Sequence, residues 1–245
     1  MAEYTSELLS KQNVAEGTMA FSFRKPAGFD FRAGQAIDVT LVDPPETDSE
    51  GNTRTFSIAS APDESELMVA TRMRDSAFKR VLKSAAPGLA VKIDGPSGSL
   101  TLHKNAAKPA VLLAGGIGIT PFRSMAVQAA KEKLPHEIYL FYSNRTPQAA
   151  AFLDVLQRLE AENPHFHLVA NMSGMDESQK TESQKNWTGE TGQLDAEKLR
   201  RHIQSLNGPI YYIAGPPAMV AAMRDMALQA GVDEDDIRSE DFPGY

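Results

Sequence analysis

A glycine-rich loop follows a short apolar segment in the second half of the chain. The loop reads Gly115-Gly-Ile-Gly-Ile-Thr-Pro121 and comes directly after the apolar run 110–114. Glycines let a backbone approach a bulky ligand closely, and the free N–H groups at the start of a helix attract phosphate. Thr120 suits the N-cap and Pro121 the first helical position, so the loop is predicted to open a helix against a pyrophosphate. The predicted contacts are Gly115, Gly116, Ile117, Gly118, Thr120 and Pro121.

A second loop of the same kind reads Gly215-Pro-Pro-Ala-Met219 and follows the apolar segment 209–214. Open α/β sheets bind ligands at the carboxyl ends of their strands, so Gly215, Pro216 and Met219 are predicted to form the second wall of a dinucleotide cleft. The first loop has the pattern GGxGxTP rather than GxGxxG, and no acidic residue ends the next predicted strand. A standard Rossmann dehydrogenase therefore fits poorly. Taken singly, each loop is equally consistent with an ordinary turn and helix start.

A third set, Arg54-Thr-Phe-Ser57, lies in the first half of the chain. Alternation along a strand places Arg54 and Phe56 on one side and Thr55 and Ser57 on the other. An arginine can clamp a diphosphate, and an aromatic ring can stack on a flavin. Any sheet could contain this tetrapeptide, so its meaning depends on the other motifs.

The segments around these motifs predict two domains. Residues 1–104 contain short alternating strands separated by turn residues, which is typical of an antiparallel barrel. The clearest strands are those at Met19–Phe23, Ile37–Leu41, 53–60, 66–72 and 89–94, with one helix at Ser76–Ser84. Residues 105–245 alternate strand and helix, which predicts a doubly wound parallel sheet. The polar stretch 171–188 is predicted to be a surface loop.

Composition excludes several classes of protein. The formal net charge of -7 argues against a nucleic-acid binder, because a phosphate backbone needs a basic face. No apolar run is long enough to span a bilayer, and Met1–Gln12 lacks the apolar core of a signal peptide. We therefore expect a cytoplasmic protein without a transmembrane segment.

The chain has no cysteine, which excludes disulfides, thiolate catalysis and cysteine-ligated iron–sulfur or zinc sites within it. Among its five histidines, His165 and His167 form a close pair on one face of a predicted strand. Because the sequence shows no nearby carboxylate partner for this pair, no metal site is predicted.

Taken in order, the motifs resemble those of the ferredoxin–NADP reductase superfamily. They are Arg-x-Phe-Ser at 54–57, Gly-Pro-x-Gly at 95–98, GGxGxTP at 115–121 and Gly-Pro-Pro-x-Met at 215–219. The ordered set is far more specific than any one motif, and it extends over nearly the whole chain. The resemblance implies a Greek-key barrel that holds FAD, followed by a domain that binds NADPH or NADH.

The resemblance also implies roles for individual residues. Arg54 would contact the FAD pyrophosphate, Phe56 would lie against the isoalloxazine ring, and Ser57 would hydrogen-bond near flavin N5. Thr120 would lie near the nicotinamide, so Ser57 and Thr120 are the expected catalytic residues. Further cofactor contacts are expected from Thr55, Arg72, Met73, Arg74 and Ser76, the last at a helix N-terminus.

Two positions depart from the pattern of the superfamily. Ala214 stands where many relatives carry a cysteine beside the nicotinamide. The glycine that usually precedes the second pyrophosphate-binding serine is not evident around Arg74-Asp75.

The C-terminal segment and one loop suggest further contacts. The aromatic end of Glu240-Asp-Phe-Pro-Gly-Tyr245 resembles tails that cover the flavin, with a frayed terminus as the alternative. Glu240 is expected to be a solvated acid, or else a proton relay. The segment Tyr142–Thr146 follows the second strand of the nucleotide domain, beside the expected adenosine ribose. Ser143 and Arg145 there suit a 2′-phosphate, which favours NADPH and leaves NADH open; Ser173 and Lys180 follow the third strand.

These features predict an FAD-dependent reductase that takes hydride from NAD(P)H and passes electrons to a separate acceptor. The acceptor would be a ferredoxin, a flavodoxin, an oxygenase component or a small oxidant, and the oligomeric state is unknown. A free-flavin or quinone reductase is the alternative enzyme. A non-catalytic nucleotide-binding module is the alternative of another class.

Overall fold

Six antiparallel strands form the first sheet of the computed structural model, which describes residues 2–175 and 187–242. They are β1 (Ala2–Ala15), β2 (Thr18–Arg24), β3 (Ala36–Leu41), β4 (Thr53–Ser57), β5 (Glu66–Arg72) and β6 (Ala90–Ser97). Their order across the sheet is β4-β3-β6-β1-β2-β5. The first half of β1 pairs with β6 and the second half with β2, so the sheet curves around a core. The predicted antiparallel barrel is confirmed.

The edge strands β4 and β5 approach each other only at one end of the barrel. Just beyond β4, the N–H of Ala59 donates to the carbonyl oxygen of Met68 over 2.7 Å. At the other end, the outer edges of both strands border a cleft. The helix α1 (Ala77–Ser84) follows β5, and Ser76 caps it by accepting a hydrogen bond from the N–H of Lys79, as predicted for a helix N-terminus.

Strand β2 is buried on both faces. Met19, Phe21 and Phe23 belong to the barrel core, whereas Ala20 packs in a second cluster together with helices of the other domain. Alternate side chains of β2 therefore point to the barrel core on one face and to the interface between the domains on the other.

The second sheet has six parallel strands in the order β10-β9-β8-β7-β11-β12. They are β7 (Ala110–Gly115), β8 (Ile138–Asn144), β9 (Phe166–Met172), β10 (Glu190–Thr191), β11 (Ile210–Gly215) and β12 (Ile237–Asp241). Helices α2 (Ile119–Lys131) and α3 (Leu153–Glu162) cover one face, and α4 (Ala196–His202) and α5 (Pro217–Gln229) cover the other. The doubly wound prediction is confirmed, and the strand order reverses between β7 and β11.

Several element predictions were incomplete. Strand β1 was missed because, of its described side chains, only Ser6 and Leu8 are buried, which leaves little alternation to detect. Strand β10 is two residues long and β12 is rich in acids, so neither has an apolar pattern. Helix α3 begins only at Leu153, because a short 3-10 turn and a left-handed Phe152 (φ 60°) precede it. The predicted boundary at 104 falls between β6 and β7 and stays a prediction.

Candidate functional site

Two adjoining clefts of about 750 Å³ each lie along the edges of the two sheets. The first, here named the barrel cleft, is bordered by β4, β5, the start of α1 and the end of β12. The second, named the sheet cleft, lies at the carboxyl ends of the parallel strands. Arg72 and Arg74 line both clefts, so one elongated ligand or two adjacent ligands can lie across the junction.

The barrel cleft is lined by all four residues of the motif, Arg54, Thr55, Phe56 and Ser57, although alternation along a strand predicted that they point to two sides. Ser57 is only 6% exposed, and its Oγ has no hydrogen-bond partner among the described residues. A buried hydroxyl without a partner is costly, so this atom is suited to a polar atom of a ligand. The hydroxyl of Thr55 instead donates to the carboxylate of Asp38.

The guanidinium of Arg54 holds the connection between β3 and β4. Its Nη1 donates to the carbonyl oxygens of Glu50 (2.9 Å), Gly51 (3.1 Å) and Thr53 (2.7 Å). Its Nη2 donates to the carboxylate of Glu50 over 2.7 Å. The group also lies 5.3 Å from the centre of the Phe78 ring. Arg54 is therefore fixed at the edge of the cleft, while its predicted contact with a diphosphate stays a prediction.

Cations gather where the two clefts meet. Burial lowers the pKa of Lys79, and the nearby charges of Arg74 and Arg54 lower it further. The Nζ of Lys79 donates to the carbonyl oxygen of Arg72 over 2.8 Å. No salt bridge between described residues involves Arg72, Arg74 or Lys79. Like charges held together in this way favour an anionic ligand, as a pyrophosphate would be.

The end of β12 forms the opposite wall of the barrel cleft. Glu240 is half-buried there, and burial raises the pKa of its carboxyl group, so the expectation of a solvated acid was wrong. Phe242, which the sequence analysis did not single out, also lines the cleft, and its N–H donates to the carbonyl oxygen of Gly215 over 3.0 Å. The only signal for it was an aromatic residue in the C-terminal segment. Tyr245, to which the covering role was given, lies outside the described residues, as does Lys180.

The glycine-rich loop begins its helix earlier than predicted. A 3-10 turn, Gly116–Gly118, continues directly into α2 at Ile119, and Gly118 has helical φ at the N-cap. The placements of Thr120 at the N-cap and Pro121 at the first helical position were therefore wrong. Thr120 lies inside α2, where its hydroxyl donates to the carbonyl oxygen of Ile117 over 3.1 Å, and both residues line the barrel cleft.

The two glycine loops pack against each other where the strand order reverses. A Cβ atom on Gly215, which has φ 156°, would lie 3.1 Å from the Cα of Gly115. A Cβ on Gly115 would lie 2.2 Å from the sulfur of Met219. The absence of side chains therefore lets β7 and β11 bring both loops to one wall of the sheet cleft.

The sheet cleft contains the remaining predicted cofactor contacts. Gly115, Gly116, Pro216, Met219, Ser143 and Arg145 all line it. The N–H of Ser173 donates to the carbonyl oxygen of Asn144 over 2.7 Å, which joins the loops after β8 and β9. Asn144 also lines the cleft and was missed, because an asparagine beside an arginine carries no distinctive signal. Among the described residues that line this cleft, three are arginines and none is a carboxylate.

Some predicted residues support the clefts without lining them. Met73 packs against the barrel core. Pro121 is buried within α2, and a Cβ on Gly118 would lie 2.1 Å from the carbonyl oxygen of Ala214.

The histidine pair has a carboxylate partner that the sequence did not reveal. The Nδ1 of His165 and the Nε2 of His167 lie 2.6 and 2.9 Å from the carboxylate oxygens of Glu137. Glu137 comes just before β8, which pairs with β9, so only strand pairing brings it near. In the part of the chain with described positions, no group of three or more potential ligands is placed to hold a metal ion.

Comparison with known proteins identifies relatives that match from about half to nearly all of the chain. Residues 112–225 match the family described as the oxidoreductase NAD-binding domain. The reductase component 2 of terephthalate 1,2-dioxygenase from Comamonas sp is 24% identical over 98% of this chain, which spans 68% of that protein. A component of the Na(+)-translocating NADH-quinone reductase from Methylococcus capsulatus is 31% identical over 64% of this chain, and the match spans 38% of that protein.

Solved structures agree on the fold. A ferredoxin NADP+ reductase from Neisseria gonorrhoeae with bound FAD and NADP superimposes with a TM-score of 0.78 at 19% identity, over 98% of both chains. Within the described residues, no helix combines the length and the apolar character that crossing a membrane requires.

Proposed function

We propose that the chain is an NAD(P)H-dependent flavoprotein reductase of the ferredoxin–NADP reductase superfamily, because it has the fold of a ferredoxin NADP+ reductase and matches the oxidoreductase NAD-binding family. It takes hydride from a reduced nicotinamide cofactor into FAD and passes electrons to a separate acceptor. One observation carries the proposal: Ser57 of the barrel and Thr120 of α2 line the same cleft, which adjoins the glycine-loop cleft. Hydride transfer requires two rings in contact, and this junction is where two domains can hold one ring each.

The barrel cleft fits FAD. Ser57 offers a buried hydroxyl without a partner, and Phe56 offers an aromatic ring at the cleft wall. Arg54, Arg72, Arg74 and the capped start of α1 at Ser76 supply positive charge for the pyrophosphate. When bound, FAD would accept a hydride and release electrons one at a time, which no protein side chain can do.

The sheet cleft fits a dinucleotide, and its charge favours NADPH. Three arginines and no described carboxylate line this cleft, so a 2′-phosphate would find cations and no repelling acid. Arg145 is exposed at the end of β8 beside Ser143, the position expected for the adenosine ribose. We assign the phosphate contact to these two side chains.

The end of β12 supplies a proton donor, Glu240, and an aromatic side chain at the cleft, Phe242. The raised pKa of Glu240 keeps part of its carboxyl population protonated at higher pH than an exposed glutamate, so it can give a proton to a reduced ring in the cleft. We assign a covering role to Phe242 as well as to the C-terminal aromatic end, because Phe242 lines the cleft within the same segment.

We assign the electrons to an acceptor outside these 245 residues. The chain contains no cysteine and so carries no cysteine-ligated iron–sulfur cluster of its own. The similar Comamonas protein is described as a reductase component of a dioxygenase, which supports an oxygenase component or a ferredoxin as the acceptor here.

The test is anaerobic reduction of the purified, FAD-loaded protein by NADPH and by NADH in a stopped-flow instrument. The expected result is bleaching of the flavin absorbance by at least one of them at a catalytically useful rate. A protein that binds no flavin, or one whose bound flavin neither cofactor reduces, would favour the non-catalytic module. Screening a ferredoxin, free FMN and a quinone as acceptors then separates the protein-directed reductase from a free-flavin or quinone reductase.

A further inference from the structure

A buried set of contacts joins helix α2 to the connection between β4 and β5. The Nη1 of Arg123 donates to the carbonyl oxygen of Ala59 over 2.6 Å, and the Oγ of Ser124 donates to that of Ser60 over 2.6 Å. Arg123 is 7% exposed and Ser124 is 0% exposed. We name Arg123, Ser124 and their partners Ala59, Ser60 and Glu64 the interdomain clamp.

Glu64 makes the clamp ionic and geometrically specific. Its carboxylate oxygens lie 2.9 Å from Nη1 and 3.1 Å from Nη2 of Arg123, a two-point contact. Burial alone would raise the pKa of Glu64, but the hydrogen bonds and charge of Arg123 hold it below its usual value. The N–H of Ala61 also donates to this carboxylate over 2.5 Å, which ties the connection into a rigid turn. A two-point arginine–carboxylate contact fixes direction as well as distance.

The clamp attaches beside both predicted catalytic residues. On α2, Arg123 and Ser124 lie about one turn beyond Thr120. On the barrel side, Ala59 and Ser60 follow Ser57 almost directly along the chain. The clamp therefore joins the two segments whose separation sets the distance between the hydroxyls of Ser57 and Thr120.

We propose that Arg123, Ser124 and Glu64 are positioning residues that set the distance between the flavin and nicotinamide rings. The inference rests on the proposed function. Domains within one chain move relative to each other unless a specific interface prevents it. Buried ion pairs add little net stability but can impose one geometry, and hydride transfer is sensitive to displacements of about 1 Å. The clamp touches neither cofactor site directly, since none of its residues lines either cleft.

A second ion pair between the same two elements provides a matched control. Lys131 at the end of α2 pairs with Asp63, one residue before Glu64. The side chain of Lys131 is 64% exposed and that of Arg123 only 8%, whereas the two carboxylates are similarly exposed at 36% and 33%. Exposed pairs contribute little because solvent screens them. Lys131→Met therefore removes an interdomain charge pair without disturbing the buried geometry.

The experiment compares Arg123→Lys, Ser124→Ala and Glu64→Gln with Lys131→Met and the wild type. Three quantities are measured: the dissociation constant for FAD, the rate of flavin reduction, and the long-wavelength absorbance that reports contact between the two rings. For the clamp variants we expect FAD affinity to stay within about twofold, because FAD contacts lie in the barrel. We expect the reduction rate to fall about tenfold or more and the contact absorbance to weaken. Lys131→Met is expected to match the wild type.

Ser124→Ala keeps the test decisive if the charged variants fold poorly, since it leaves no charge buried without a partner. Unchanged reduction rates in Ser124→Ala and Arg123→Lys would overturn the proposal. So would a loss of FAD affinity in proportion to the loss of rate, because that indicates a general structural role. Failure of the proposed function is a different result, seen as a wild type whose flavin neither NADPH nor NADH reduces.

Discussion

Gly118 packs directly against the backbone of Ala214: a Cβ atom on Gly118 would lie 2.1 Å from the carbonyl oxygen of Ala214 and 2.4 Å from its carbonyl carbon. The φ of Gly118 is -57°, so any residue could adopt its backbone conformation. The need for glycine here comes from the contact between the start of α2 and the end of β11, and not from backbone strain.

Gly118→Ala is therefore expected to push α2 away from β11 and disturb the wall of the sheet cleft. The barrel is not part of this contact, so FAD should remain bound. We expect flavin reduction by NADPH or NADH to fall about tenfold or more, since such displacements disrupt the alignment of reacting rings. Stopped-flow reduction at the wild-type rate would show that the contact tolerates a methyl group.

Arg54→Ala is expected to lower FAD affinity by about tenfold or more, as the loss of a charge-assisted hydrogen bond costs about 1.5–3 kcal/mol. The dissociation constant is measured by titrating the apoprotein with FAD. Arg54 also donates to the carboxylate of Glu50. The variant Glu50→Gln therefore separates binding of the pyrophosphate from fixing of the loop. If Arg54 acts on the pyrophosphate, Glu50→Gln should keep or improve FAD affinity. An equal loss in both variants would mean that Arg54 acts only by fixing the loop.

Arg145→Ala is expected to reduce kcat/KM for NADPH about tenfold or more and to leave NADH nearly unchanged, the effect of removing one charged contact to a phosphate. The control is Arg158→Ala, since Arg158 is exposed on α3 and pairs only weakly with Asp154 at 3.7 Å. A wild type that already prefers NADH, or equal losses with both cofactors, would contradict the assignment.

His103 gives the protein a pH dependence that can be assigned to one side chain. Burial lowers the pKa of His103; the nearby His136 and Arg238 also lower it, and a hydrogen bond to the carbonyl oxygen of Lys108 opposes them. The hydroxyl of Tyr212 accepts from the N–H of His103 and from Arg238, so its own proton is left for the Nδ1 of His103 at 2.9 Å. This arrangement favours the neutral imidazole.

Because the folded pKa is depressed, the unfolded chain binds the proton more readily. The contribution of neutral His103 to the stability of the fold is complete above the pKa of histidine in the unfolded chain, about 6.5. It is lost as the pH falls through the pKa of His103 in the folded protein. We expect the free energy of unfolding in urea to decrease between pH 7.5 and pH 5.5, and to decrease less in His103→Gln, which cannot be protonated. If the free energy of unfolding changes equally with pH in the wild type and in His103→Gln, His103 is not the cause of the pH dependence.

The strands that the sequence predicted well are those with strong burial on defined faces. Met19, Phe21 and Phe23 alternate toward the barrel core, and the apolar run 110–114 lies in a strand buried on both sides. Strand β1 and the end of β12 could not be found in the same way, because their side chains are mainly polar or half-exposed. For them, hydrogen bonding to neighbouring strands decides the structure rather than a hydrophobic pattern.

The amino-acid sequence alone establishes the available chemistry: a barrel half with Arg54–Ser57, two glycine loops after apolar strands, and no thiol. Local spacing is enough for these features, because glycine conformation and strand alternation depend on near neighbours. Which of these groups meet depends on the packing of the folded chain. Arg123 donates to the carbonyl oxygen of Ala59, 64 residues away in sequence, and Ser57 and Thr120 reach one cleft from different domains. Such contacts depend on how whole elements pack, and no pattern within a single segment encodes that packing.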